Sequence, residues 1–135
     1  MAHLRSIPHT GTRSLYRSRD FESVRHVVLD HNWDSVILAG LPTVIPVRDP
    51  VMQAISTIHH IVPARLSWYE QIMRFRDFPN VEFVKIEDSG LAPQGRTPDH
   101  LGLRARFADG GFPDSLLDGL GLARPWLREV FGYNV

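Results

Sequence analysis

A three-layer α/β fold, a parallel sheet of about four strands flanked by helices, is what this sequence predicts, and three observations predict it. Apolar runs of strand length at residues 3–7, 24–30, 43–47 and 81–86 alternate with segments of helical spacing. Alternation of that kind argues for parallel strands joined by helical crossovers. Each run is followed by chemistry-bearing residues: His9 to Arg13, Asp30-His31, Arg48 and Glu87. Ligands of parallel sheets bind beyond the carboxyl ends of the strands, so this placement points to a site there.

Composition narrows the class. The chain has 135 residues, 43% of them hydrophobic, which suits one domain, 1–135, with a real core. Fifteen basic residues balance fifteen acidic ones, so no net basic field draws nucleic acid. Lys85 is the only lysine. Arginine forks onto phosphate or sulfate oxygens better than lysine does, although GC-rich codon usage favours it with no chemical cause. There is no cysteine, which excludes disulfides, thiolate metal sites and cysteine nucleophiles. No apolar run reaches the ~18–20 residues of a membrane span. Arg5, His9 and Arg13 interrupt any signal-peptide core. The expectation is a soluble cytoplasmic protein with no membrane partner.

In chain order, 3–7 is a short strand and Pro8-His9-Thr10-Gly11 a turn leaving it. Thr12 to Arg19 reads as a helix with Thr10 or Thr12 as its cap. A strand, a glycine turn and a helix start make a ready anion site. VRHVVLD, 24–30, is a second strand ending in Asp30-His31. Asn32 caps a short helix that Gly40 stops. TVIPV, 43–47, is a third strand, with Pro46 tolerable only near its end. Asp49 caps and Pro50 begins a helix running to about His60. A further helix covers 64–75, and the alternating VEFVKI, 81–86, is a fourth strand. Residues 88–112, rich in glycine and proline, read as a long loop or lid. Residues 113–135 read as two closing helices whose Trp126, Leu127, Val130 and Phe131 form an apolar face for the sheet.

The stretch Pro8-His9-Thr10-Gly11-Thr12-Arg13-Ser14-Leu15 resembles the 5′-phosphosulfate loop of sulfotransferases, Pro-Lys-Ser-Gly-Thr-Thr-x-Leu. Val47-Arg48-Asp49-Pro50, continued to Ser56, resembles the same family's 3′-phosphate motif, in which an Arg and a Ser eight positions later share one phosphate. Trp68-Tyr69-Glu70 and 83–87 resemble a later helix–strand segment, so the likeness spans residues 4–87. His9 stands where the family has Lys, Arg13 where a second Thr is common, and the chain is about half a typical member's length. The resemblance implies a P-loop-like domain that binds 3′-phosphoadenosine 5′-phosphosulfate. Two helical turns span about 11 Å, so Ser56 meets Arg48 only where the loop folds back over the helix.

In that site Gly11 lets backbone approach a phosphate, or serves an ordinary tight turn. Thr10, Thr12 and Ser14 supply hydroxyls, or cap the helix. His9 and Arg13 meet phosphate or sulfuryl oxygens. Arg48 forks onto a nucleotide phosphate, or pairs on the surface with Asp49 or Glu87. His31, whose residue type titrates near neutrality, is the candidate general base, with Asp30 orienting it or replacing it. Alternatively Asp30 or Asn32 simply caps the next helix. His59-His60 fit a helix C-terminus better than a metal site, and Arg96, Arg104 and Arg106 either close over the nucleotide or stay solvated.

Three functions compete. The first is sulfuryl transfer from that donor to a hydroxyl- or amine-bearing acceptor, with no metal. The second is a small P-loop kinase using ATP with Mg on a nucleotide or modified DNA base, because Val27-Val28-Leu29-Asp30 resembles a strand ending in a magnesium-linked Asp. GxxxxGK[ST] itself is not satisfied. The third is a non-catalytic binding or assembly protein, for which completion as a homodimer is an option.

Overall fold

The computed structural model describes residues 1–8, 10, 12–27, 30–56, 66–90 and 117–135, without the side chains of Arg13, Ser14, Ile55 and Ser56. The chain forms two compact units, Met1–Arg48 with Arg74–Gln94, and Asp49–Met73 with Gly95–Val135.

The first unit holds β1 (His3–Ser6), α1 (Thr12–Ser18), β2 (Ser23–His26), α2 (Ser35–Leu38), β3 (Thr43–Val47) and β4 (Val81–Lys85), followed by a 3-10 turn at Ile86–Asp88. All strand pairs are parallel and the order is β2-β1-β3-β4. The expected parallel sheet of four strands flanked by helices is therefore present. The connection from β1 to β2 and that from β2 to β3 run in opposite directions across the sheet. Right-handed crossovers then put α1 and α2 on opposite faces. Side chains agree with this. Leu4 and Val44 form one core with Leu15 of α1 and with Ile86. Arg5 alternates with Leu4 and points the other way, giving its Nε–H to the Trp33 carbonyl at 2.8 Å, just ahead of α2.

β3 is buried along its whole length and carries Pro46 in an interior strand. Pairing with β1 stops at Leu4↔Val44, so Pro46 lies beyond that ladder, where its missing N–H breaks no bond to β1.

β2 is shorter than its apolar run predicts. Pairing ends at Ser6↔His26, and the Val27 N–H reaches the Ser6 carbonyl at 2.9 Å. β2 is an edge strand, and β1 turns away at Ile7-Pro8, so nothing remains for β2 to pair with. Asp30 and His31 therefore follow the end of β2 by four and five residues. α2 likewise starts at Ser35 and not at Asn32. Its N-cap is Asp34, without a side-chain cap bond, while Asp30 Oδ1 accepts the Asn32 N–H at 2.9 Å. Gly40, at φ 79°, ends this segment as expected.

The second unit holds α3 (Pro50–Ser56), α4 (Trp68–Met73), a 3-10 turn at Asp118–Leu120 and α5 (Ala123–Phe131). Asp49 caps α3 as its sequence predicts: Oδ1 takes the Val51 N–H at 3.0 Å and its carbonyl the Gln53 N–H at 2.9 Å. The buried Tyr69 hydroxyl donates to Gln53 Oε1, joining α4 to α3. α4 spans less than the predicted 64–75, because Arg74–Asp77 form turns. In α5, Ala123 and Leu127 are buried one turn apart, and Gly132, at φ 72°, closes the helix. Val130 lies on the same face one residue before the helix end and is 64% exposed, unlike its expected role.

Gly121 carries a sharp local requirement. Its φ of 55° and ψ of −132° lie where only glycine is at ease. A Cβ there would fall 1.5 Å from Glu70 Oε1, which accepts the Leu122 N–H at 3.3 Å. Gly121→Ala is expected to destabilise by about 1–3 kcal/mol, because Glu70 swings aside yet the backbone strain remains. A lowered urea midpoint with unchanged slope checks this.

Candidate functional site

The ladder between the two central strands stops before their carboxyl ends. β1 stays paired with β2 to Ser6, and β3 with β4 to Val47, yet β1 and β3 pair only at His3↔Thr43 and Leu4↔Val44. This end of the ladder lies where the sheet switches direction, since β1 connects toward β2 on one side and β3 toward β4 on the other. A crevice at a switch point is the usual ligand position in such sheets.

Two of the sequence-predicted residues lie beyond the ends of these strands. Arg48 comes straight after β3 and is 2% exposed. Thr10 lies in the turn after β1 and is fully buried. Its Oγ1–H donates to the Ile7 carbonyl at 2.6 Å, so the hydroxyl proton holds the loop together. Thr12 begins α1, and its Oγ1–H points back to Ser6 Oγ at 2.9 Å. Both predicted donor hydroxyls thus direct their protons inward. α1 has seven residues, too few for its dipole to carry much by itself.

His9 and Gly11 lie outside the described residues, as do the side chains of Arg13, Ser14 and Ser56. Ser56 ends α3 in the second unit, whereas Arg48 belongs to the first. His59-His60, Arg96, Arg104, Arg106 and residues 91–112 of the lid expected at 88–112 are also outside the described residues.

Asp30 and His31 occupy the turn before α2. Arg25 NH1 reaches Asp30 Oδ2 at 2.5 Å. That hydrogen bond first, and then the Asn32 N–H, hold the Asp30 carboxyl below its ordinary range. A depressed folded-state pKa means that the unfolded chain takes up the proton more readily. The stabilisation is therefore present at neutral pH, above the ordinary carboxylate range. It is lost as the pH falls through the folded-state value. Asp30→Asn is expected to lower the urea midpoint at pH 7 and to match the parent in acid, as a pH series of unfolding curves would show. His31 is exposed and next to this pair.

Sequence reasoning missed Ser6, His26 and Arg5. Ser6 is fully buried, accepts from Thr12, and lies 3.3 Å from His26 Nδ1. Only the register Ser6↔His26 brings these two residues together, so no spacing rule announces them. Arg5, 2% exposed, also donates to the Leu4 carbonyl and Ser23 Oγ at 3.0 Å each. Burial, then Arg25, lowers its pKa from an ordinary value so high that it stays charged. It ties the Trp33 turn to β1 and β2. His3 Nδ1 meets the same Ser23 Oγ at 2.7 Å, and burial, followed by Arg5, pushes the imidazole below its usual range.

Among the described residues, no group of three or more His, Asp or Glu side chains is placed to hold a metal ion, and no helix is long and apolar enough to cross a membrane. Comparison with known protein families, curated proteins and solved structures finds no match for this chain.

Proposed function

We propose that this chain is a nucleotide-binding transferase of the sulfotransferase-like P-loop class, with 3′-phosphoadenosine 5′-phosphosulfate as donor and a hydroxyl- or amine-bearing acceptor. Arg48 is the observation that carries the reading. It is a permanently charged group almost wholly withdrawn from water, at the carboxyl end of an interior strand and at the switch point of the sheet. Burying a guanidinium is costly, and its planar fork matches phosphate oxygens. Its place at the switch point beside the loop after β1 supports an anion there, and the resemblance of 8–15 and 47–56 supports a nucleotide carrying two phosphate groups.

In this reading Arg48 takes the 3′-phosphate, while backbone at Gly11 to Ser14, with His9 and Arg13, meets the phosphosulfate. The acceptor oxygen attacks sulfur, the bond from sulfur to the bridging phosphate oxygen breaks, and adenosine 3′,5′-bisphosphate leaves. Asp30 is engaged by Arg25, which leaves His31 as the side chain of that pair to take the acceptor proton. The kinase reading draws less support, because it needs a strand ending at Asp30 and β2 spans Ser23–His26.

Thermal shift with adenosine 3′,5′-bisphosphate and, separately, with ATP–Mg tests the proposal. At ~100 times its dissociation constant the bisphosphate should stabilise by roughly 2.7 kcal/mol. A shift with ATP–Mg alone favours the kinase. No shift with either overturns nucleotide binding, and binding without turnover of any hydroxyl or amine acceptor favours the non-catalytic reading.

A further inference from the structure

A cavity of about 300 Å³ opens in the first unit on the α1 side of β2, lined by Thr12, Tyr16, Val24 and His26. Its two polar lining groups are held from behind. Thr12 Oγ1 is 2.9 Å and His26 Nδ1 is 3.3 Å from the same Ser6 Oγ, a fully buried hydroxyl. Because Nδ1 is turned to Ser6, Nε2 is the nitrogen left for a ligand, and it makes no hydrogen bond among the described residues. Val24 and the ring of Tyr16 supply the apolar walls. Among the described residues, no lining side chain carries a fixed charge.

We infer that this cavity is a binding site for a small neutral aromatic ligand bearing a hydroxyl group. Three features select that class. A cavity of about 150 Å³ accepts a benzene ring, so this one has room for a substituted ring. An aromatic and an aliphatic wall favour a planar apolar body. Two polar groups pre-set by one buried hydroxyl favour a single hydroxyl, which both donates and accepts, with little ordering left to be done on binding. The described lining is uncharged, which favours a neutral ligand. The cavity shares Thr12 with the loop assigned to the phosphosulfate, but the inference does not rest on the nucleotide reading.

Phenol and toluene, titrated separately into the isotope-labelled full chain and followed by NMR, test the inference. Phenol should shift the Val24 methyl and His26 ring resonances saturably, and bind roughly three- to tenfold more tightly than toluene, the value of one hydrogen bond. Thr12→Val and His26→Phe should each shrink that preference. Tyr16→Ala, at a position 60% exposed and thus safe for folding, should weaken both ligands alike. Absence of saturable shifts, equal binding of phenol and toluene, or undiminished phenol binding in Tyr16→Ala would overturn it. Adenosine 3′,5′-bisphosphate added as a third titrant separates the two sites: phenol binding should survive even where that nucleotide fails to bind.

Discussion

Replacing Arg48 with alanine is expected to weaken adenosine 3′,5′-bisphosphate roughly ten- to hundredfold, the range for losing a charge-assisted hydrogen bond. Arg48→Lys keeps the charge and loses the fork, so its affinity should fall between the two. Because Arg48 is buried, the unliganded melting temperature must be measured alongside. Arg48→Met, which keeps the apolar length and drops the charge, separates lost packing from lost binding. A nucleotide affinity unchanged across all three variants would remove Arg48 from the site. It would also remove the principal support for a nucleotide at this switch point.

The largest loss of stability is expected at Ile45. It is fully buried in β3, with β1 on one side of that strand and Phe83 of β4 opposite it on the other. Ile45→Ala deletes buried methyl and methylene groups and leaves a space that the sheet backbone cannot close. A loss of about 2–5 kcal/mol follows, a drop in Tm on the order of 10 °C. Leu38→Ala, at the 65% exposed end of α2, is the matched control and should stay within about 0.5 kcal/mol of the parent. Equal effects at the two positions would mean that β3 is not the centre of the core.

Features set by local chemistry are legible in the order of residues alone. TVIPV reads as a strand with the bounds that β3 has, Thr43–Val47, because a short apolar run between turn residues leaves few alternatives. Asp49-Pro50 reads as a helix start, because a cap acts through bonds to residues two and four further along. Gly40 reads as a stop for the same local reason. The features that differ from expectation depend on distant partners. VRHVVLD carries strand propensity to Asp30, yet β2 stops where β1 stops. A strand is only as long as its neighbour, and a short window of sequence does not contain that neighbour. Asn32 has a capping side chain, yet Asp30, drawn to Arg25, closes the turn first.

The candidate site divides in the same way. Residue order places 8–15 and Arg48 after the first and third strands, and this much the sequence by itself determined. It also determined the parallel α/β class, since periodicity is a local property repeated along the chain. Only the tertiary structure decided that the ladder between β1 and β3 ends at Leu4↔Val44, that Arg48 is buried, and that Thr10 and Thr12 turn their protons inward. The same holds for His26 and Ser6, twenty residues apart and joined by strand register. Burial, hydrogen-bond direction and register depend on which segments become neighbours in space. That choice is made by the whole sheet at once, and a residue's own surroundings in the chain do not contain it.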